Sequence, residues 1–186
     1  MKLVFLDLEF TGEHAYATPV SFGLVTLDDQ ELYITLNDYS EDQVTDWLRD
    51  NVLSKIDAKK SVSKKETYVK ISSFLKKYSN GEKIHCVSAG KELDMILLAQ
   101  LYHEGFPNLK YFHGLHCLPD YLNHSEHFDL NTIFYLAGIK EPYNREKYAN
   151  LDIKNEKHNA LYDAKIVKAC FLKLMKNSKL KGLLKF

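Results

Sequence analysis

The feature that most constrains the fold is a short apolar run at the start of the chain, Leu3-Val4-Phe5-Leu6-Asp7-Leu8, with one carboxylate inside it and a second, Glu9, just beyond. A run rich in branched residues is the pattern of a central strand buried on both faces. Charge is scarce in such strands, so Asp7 and Glu9 need a reason. Two apart on a strand, they project from the same face. Burial and mutual repulsion both raise their pKa values, and a divalent cation offsets this most effectively. Taken alone, the pair is better explained by a hydrated, frayed strand end, since D-x-E arises often by chance.

Pro19 to Leu27 and Glu31 to Leu36 read as two more strands joined at Asp28-Asp29-Gln30, completing a three-stranded meander. Helical spacing follows. Val44, Trp47, Leu48 and Val52 form a stripe after Ser40, whose hydroxyl is the expected cap, and this puts Trp47 in the core. Tyr68, Ile71, Leu75 and Tyr78 mark a helix ending near Asn80-Gly81, and Ile84 to Ala89 reads as another buried strand. Leu93 to Leu101 is helical by the same spacing. Asp129 is the expected cap of a helix through Ile133, Phe134 and Leu136 that stops at Gly138. The last long helix carries Ala160, Ala164, Val167, Phe171 and Leu174 on one stripe, and Gly105 to His127 is expected to be a loop with at most one short strand. Strands first, then helix, strand and helix in alternation, predict one α/β domain over 1–186 with a mixed sheet.

Composition limits the partners. With 25 Lys+Arg against 25 Asp+Glu in 186 residues, the chain is neither a polycation nor an acidic tail, so nucleic-acid contact must be local. The lysines of 55–77 and 173–185 fall between apolar positions and suit a solvated face as well as a phosphate path. Cys86, Cys117 and Cys170 are an odd, scattered set with no C-x-x-C, which fits a reducing compartment. Asp7 and Glu9 cut the N-terminal apolar run too early for a signal peptide, and no run approaches a membrane span. A cytoplasmic protein with no membrane partner is expected. His113, His116 and Cys117, with His124 and His127 near, lack the tight spacing of four zinc ligands and are read as loop residues.

The second acidic cluster is His158-Asn159-Ala160-Leu161-Tyr162-Asp163, opening the last helix. On an ideal helix, residues five apart differ by roughly 140° in direction, so His158 is a poor co-ligand for a metal held by Asp163. It suits a position beside that metal, in reach of a polarised water, as a general base. Ala160 is a small residue on the inner face that lets the helix lie close to the sheet. Asp94 falls at the start of a helix, where a first-turn carboxylate also serves the dipole, and Glu92 competes with it for any site role.

In this order the motifs resemble those of the DEDDh 3′-to-5′ exonucleases: Phe5-Leu6-Asp7-Leu8-Glu9-Phe10-Thr11-Gly12, then Leu93-Asp94-Met95-Ile96, then His158-Asn159-Ala160-Leu161-Tyr162-Asp163. The likeness is greatest to the ribonuclease AS type of bacterial exoribonuclease, through Ser21-Phe22-Gly23-Leu24-Val25, Glu31-Leu32-Tyr33 and Trp47-Leu48-Arg49-Asp50-Asn51-Val52. The resemblance implies a ribonuclease H-like fold with a mixed five- to six-stranded sheet flanked by helices. It implies Mg²⁺ or Mn²⁺, two ions per site, on Asp7, Glu9, Asp94 and Asp163, with His158 as general base. It implies that Phe10 and Thr11 grip the terminal nucleotide, that nucleoside 5′-monophosphates leave the 3′ end of single-stranded RNA, with adenylated RNA a candidate, and that the enzyme is a homodimer. Single-stranded DNA is the alternative substrate, and a non-catalytic nucleic-acid-binding module ranks below both because the acidic set and its histidine are complete.

Overall fold

The computed structural model describes residues 1–90, 92–105, 118–140, 144–151 and 157–180. Five strands, β1 (Lys2–Phe10), β2 (Pro19–Thr26), β3 (Glu31–Thr35), β4 (Ile84–Ser88) and β5 (Leu122–Asp129), form one sheet in the order β3-β2-β1-β4-β5. The first three are the expected antiparallel meander, while β4 and β5 run parallel to β1. Among the described residues six α-helices accompany it: α1 (Asp46–Asn51), α2 (Lys64–Ser79), α3 (Leu93–Gly105), α4 (Leu130–Leu136), α5 (Arg145–Ala149) and α6 (Ala160–Leu174).

Side-chain alternation along β1 divides the core. Val4, Leu6 and Leu8 pack with Ile71, Leu75, Leu98 and Tyr102 of α2 and α3 on one face. Leu3 and Phe5 pack with Ile133 and Phe134 of α4 and Val167 and Phe171 of α6 on the other. Asp7 and Glu9 continue the second set, toward α6, as the period of two requires. A strand buried on both sides by helices needs apolar residues at successive positions, which is why β1 reads as a run.

Helix ends follow local chemistry. Ser63 and Glu66 form a reciprocal capping box at the start of α2, and Asn80 (φ +47°) in the left-handed region ends it. Asp129 caps α4 by accepting from Thr132 N–H at 2.8 Å. Two expectations are corrected. Thr45, not Ser40, caps α1, its hydroxyl accepting from Leu48 N–H at 3.2 Å, because Ser40 precedes a separate one-turn 3₁₀ helix at Glu41–Gln43. The segment expected as a loop with at most one short strand ends in one strand, β5, longer than expected at eight residues, whose Asn123-His124-Ser125-Glu126 stretch is polar at the sheet edge. Among the described residues no helix is long and apolar enough to cross a membrane. His113, His116, Cys117 and the lysines beyond residue 180 lie outside the described residues.

Candidate active site

The carboxyl end of β1 opens into a cleft of about 750 Å³. Its lining includes Asp7, Glu9, Phe10, Thr11, Asp94, His158 and Asp163, so every residue expected at the site meets there.

Close packing brings the third carboxylate to the first two. Asp7 pairs across the sheet with Gly23 of β2, and a Cβ at Gly23 would overlap the backbone carbonyl of Ala160 in the first turn of α6. Ala160 itself is fully buried. A small residue on each side therefore lets the helix start against the strand, and the same first turn delivers Asp163. Single carboxylate oxygens of Asp7, Glu9 and Asp163 all lie within 4.8 Å of one another. Ala160 was legible in the sequence; Gly23, its counterpart, gave no signal apart from being a glycine inside a strand.

Burial is the main cause of the shifts in all four carboxyls. It pushes Asp7 well above the ordinary range, and the charges of Asp94, Asp163 and Glu9 add to the effect. Glu9 rises to about 8, from burial and then from Asp163 and Asp94. Asp163 rises to about 6, opposed by the His158 N–H, which donates to its Oδ2 at 3.2 Å. Asp94 rises to about 7 although Leu8 N–H donates to its Oδ1 at 3.1 Å and the Ser88 hydroxyl also favours the ionised form. Behind Ser88 stands His127 of β5, with Nε2 2.9 Å from the hydroxyl oxygen. The carboxylate at the head of α3 is thus a buried part of the cleft, 4% exposed, while its competitor Glu92 points to solvent. Three convergent, half-buried carboxylates with hard oxygen donors and a fourth alongside fit a divalent cation such as Mg²⁺ or Mn²⁺.

His158 differs from the helical expectation. It lies in a turn before α6, with φ +64°, and Asn159 caps the helix by accepting from Leu161 and Tyr162 N–H. The separation of an ideal helix therefore does not apply. The imidazole is fixed from outside: Trp47 meets it edge to face, ring centroids 4.9 Å apart at 82°, and Lys55 Nζ donates to the neighbouring Lys157 carbonyl at 2.6 Å. Burial and the charges of Lys157 and Lys55 lower its pKa, favouring the neutral ring.

Trp47 corrects the sequence reading. Leu48 and Val52 do form the buried stripe of their helix, against Val20, but Trp47 is 54% exposed and lines the cleft. Phe10 is half-buried with its ring on the α2–α3 side of the core. Thr11 lines the cleft, yet its hydroxyl is committed within the loop: it donates to Gln43 Oε1 at 2.6 Å and accepts from Thr18 N–H at 2.9 Å. Arg145, on the five-residue helix α5, also faces the cleft and was not singled out by any motif.

Comparison with known proteins fits this arrangement. A domain family described as the Rv2179c-like 3′-5′ exoribonuclease domain matches residues 2–175. The chain belongs to this family. It is a 3′-to-5′ exonuclease. No curated protein matches it. Among solved structures, S. pombe Pop2p in its Mg²⁺- and Mn²⁺-bound form is similar with a TM-score of 0.62 at 12% identity, over 95% of this chain and 83% of that one. At such identity the likeness is one of fold, and the shared architecture is the mixed five-stranded sheet flanked by helices.

Proposed function

We propose that this exonuclease is a DEDDh-type enzyme of the ribonuclease AS kind, formed as one domain, that removes nucleoside 5′-monophosphates from the 3′ end of single-stranded RNA. The observation that carries the reading is the convergence of Asp7, Glu9 and Asp163 beside the His158 turn. Asp7, Glu9 and Asp163 would hold one divalent ion, Mg²⁺ or Mn²⁺, and Asp7 with Asp94 nearby would serve a second. When bound, such ions stabilise charge on the attacking and leaving oxygens of an in-line displacement. The metal-bound form of Pop2p, on the same fold, supports the choice of ions.

The protein's own groups supply the rest. The neutral His158 imidazole accepts a proton from water as the water oxygen bonds to phosphorus. The bond from phosphorus to the 3′ oxygen breaks, that oxygen takes a proton from solvent, and the strand is left with a 3′ hydroxyl. The half-buried ring of Phe10 and the backbone at Thr11 form the wall for the terminal nucleotide, since the Thr11 hydroxyl is already bonded.

The test is a gel assay on 5′-labelled single strands of RNA, oligo(A) and DNA, with Mg²⁺ or Mn²⁺, with EDTA, and with a blocked 3′ end. The expected result is a metal-dependent ladder on RNA from a free 3′ end. A ladder on DNA alone overturns the substrate, and no shortening of any strand overturns the reaction.

A further inference from the structure

Arg145 is a cation lining this cleft that the proposed reaction has not used. Resting on that reaction, we propose that Arg145 contacts the substrate, its guanidinium binding the phosphodiester being cut from the Asp7–Asp94 side of the cleft. Its mounting favours such a role. The side chain is half-buried, and Nη1 donates to the Ala89 carbonyl at 3.2 Å. The Arg145 carbonyl in turn accepts from the Cys170 thiol of α6 at 3.3 Å, fixing the backbone from which it extends. A guanidinium offers five N–H donors in a rigid fork, and no ion pair among the described residues consumes them.

The field of Arg145 reaches Asp7, Asp94 and Asp163, lowering each, whereas Lys55 acts on Glu9 and His158. Lys157 acts on Asp163 as well, but the field of Arg145 is the one felt by Asp7, Asp94 and Asp163 alike. Charge counting explains why the metals alone do not suffice. Four carboxylates offset two divalent ions, so the phosphodiester arrives with a negative charge unmatched, and that charge grows on the way to the transition state. A cation held off the carboxylates by a backbone carbonyl leaves them free for metal and remains available to phosphate. Arginine suits the task because it meets phosphate through two parallel N–H bonds.

The test uses Arg145→Gln, which removes the charge and leaves a polar side chain, and Arg145→Lys, which keeps the charge. Single-stranded RNA is titrated in Mg²⁺ over a range of KCl in a His158→Ala background that slows cleavage. Each phosphate contact on a single strand contributes about 0.7 to the slope of log affinity against log salt. Arg145→Gln is expected to reduce the slope by about that amount, and Arg145→Lys to restore it. In the otherwise native enzyme, Arg145→Gln is expected to lower kcat by about 100- to 1000-fold, the usual loss of one oxyanion donor. An unchanged slope in a folded Arg145→Gln protein overturns the contact, as does a loss in Arg145→Lys equal to that in Arg145→Gln. The titration reads binding, so it decides Arg145 even where the cleavage ladder fails and the proposed reaction falls.

Discussion

The carboxylates and the histidine reach one cleft from unlike scaffolds. Asp7 and Glu9 stand on β1, which stays paired with β2 to Phe10, and Asp94 and Asp163 sit in first turns of helices packed on the sheet. His158 sits in a turn at φ +64°, held by one backbone bond to Asp163 and by side chains from the α1 region. A left-handed conformation in a non-glycine residue costs on the order of 1 kcal/mol and persists where the surroundings fix it. The difference teaches that the acidic half is set by the fold, whereas the proton-handling half is set by a few contacts. Changes to the second half should therefore leave metal binding intact.

Predictions can break that division. Asp163→Ala should abolish strand shortening and weaken Mn²⁺ binding in the same protein, read by the gel and by calorimetry. His158→Ala should lower kcat by about two to four orders of magnitude, the usual worth of a general base, with Mn²⁺ affinity retained. Loss of metal binding in that variant would merge the two halves. Gly23→Ala should destabilise the fold by about 1–3 kcal/mol in chemical denaturation, because the new methyl group must push α6 off β2, and activity should fall with it.

Trp47→Ala should cost less, about tenfold in kcat with KM little changed, since an edge-to-face pair is worth about 0.5–1.5 kcal/mol, and Trp47→Phe should recover most of it. Trp47 is the single tryptophan, so His158→Ala should also shift its fluorescence, which a role confined to folding would not produce. The smallest effect concerns pH. Raised carboxyls bind protons more tightly in the folded state than in the unfolded one, so the metal-free protein should lose stability as pH rises. The window runs from the ordinary carboxylate range up to the value of about 8 at Glu9. Added Mn²⁺ should raise the melting temperature more at pH 8 than at pH 5, and the opposite order would place the metal elsewhere.

How far each half could be read in advance follows from the same contrast. The apolar run of β1 with Asp7 and Glu9, the Asp129 cap and the stripe of α6 are local patterns, and each marked its element. Asp94 was ambiguous with Glu92 until burial separated them. The contacts around His158 join residues far apart in the chain, Lys55 to Lys157 and Trp47 to His158, which no local period records. Trp47 fitted the helical stripe of its neighbours, yet that stripe needs only Val44, Leu48 and Val52. Arg145 lies on a helix too short for periodicity, and β5 is polar because an edge strand must be.

Calorimetric titration of Mn²⁺ at pH 7, in two buffers of different ionisation enthalpy, tests the central claim most directly. Glu9 rises to about 8 in the metal-free protein, so binding at the Asp7, Glu9 and Asp163 cluster must expel protons. The account predicts net proton release on binding in the wild-type protein and its loss in Asp163→Ala. Mn²⁺ binding without proton release, or with equal affinity in Asp163→Ala, would contradict it.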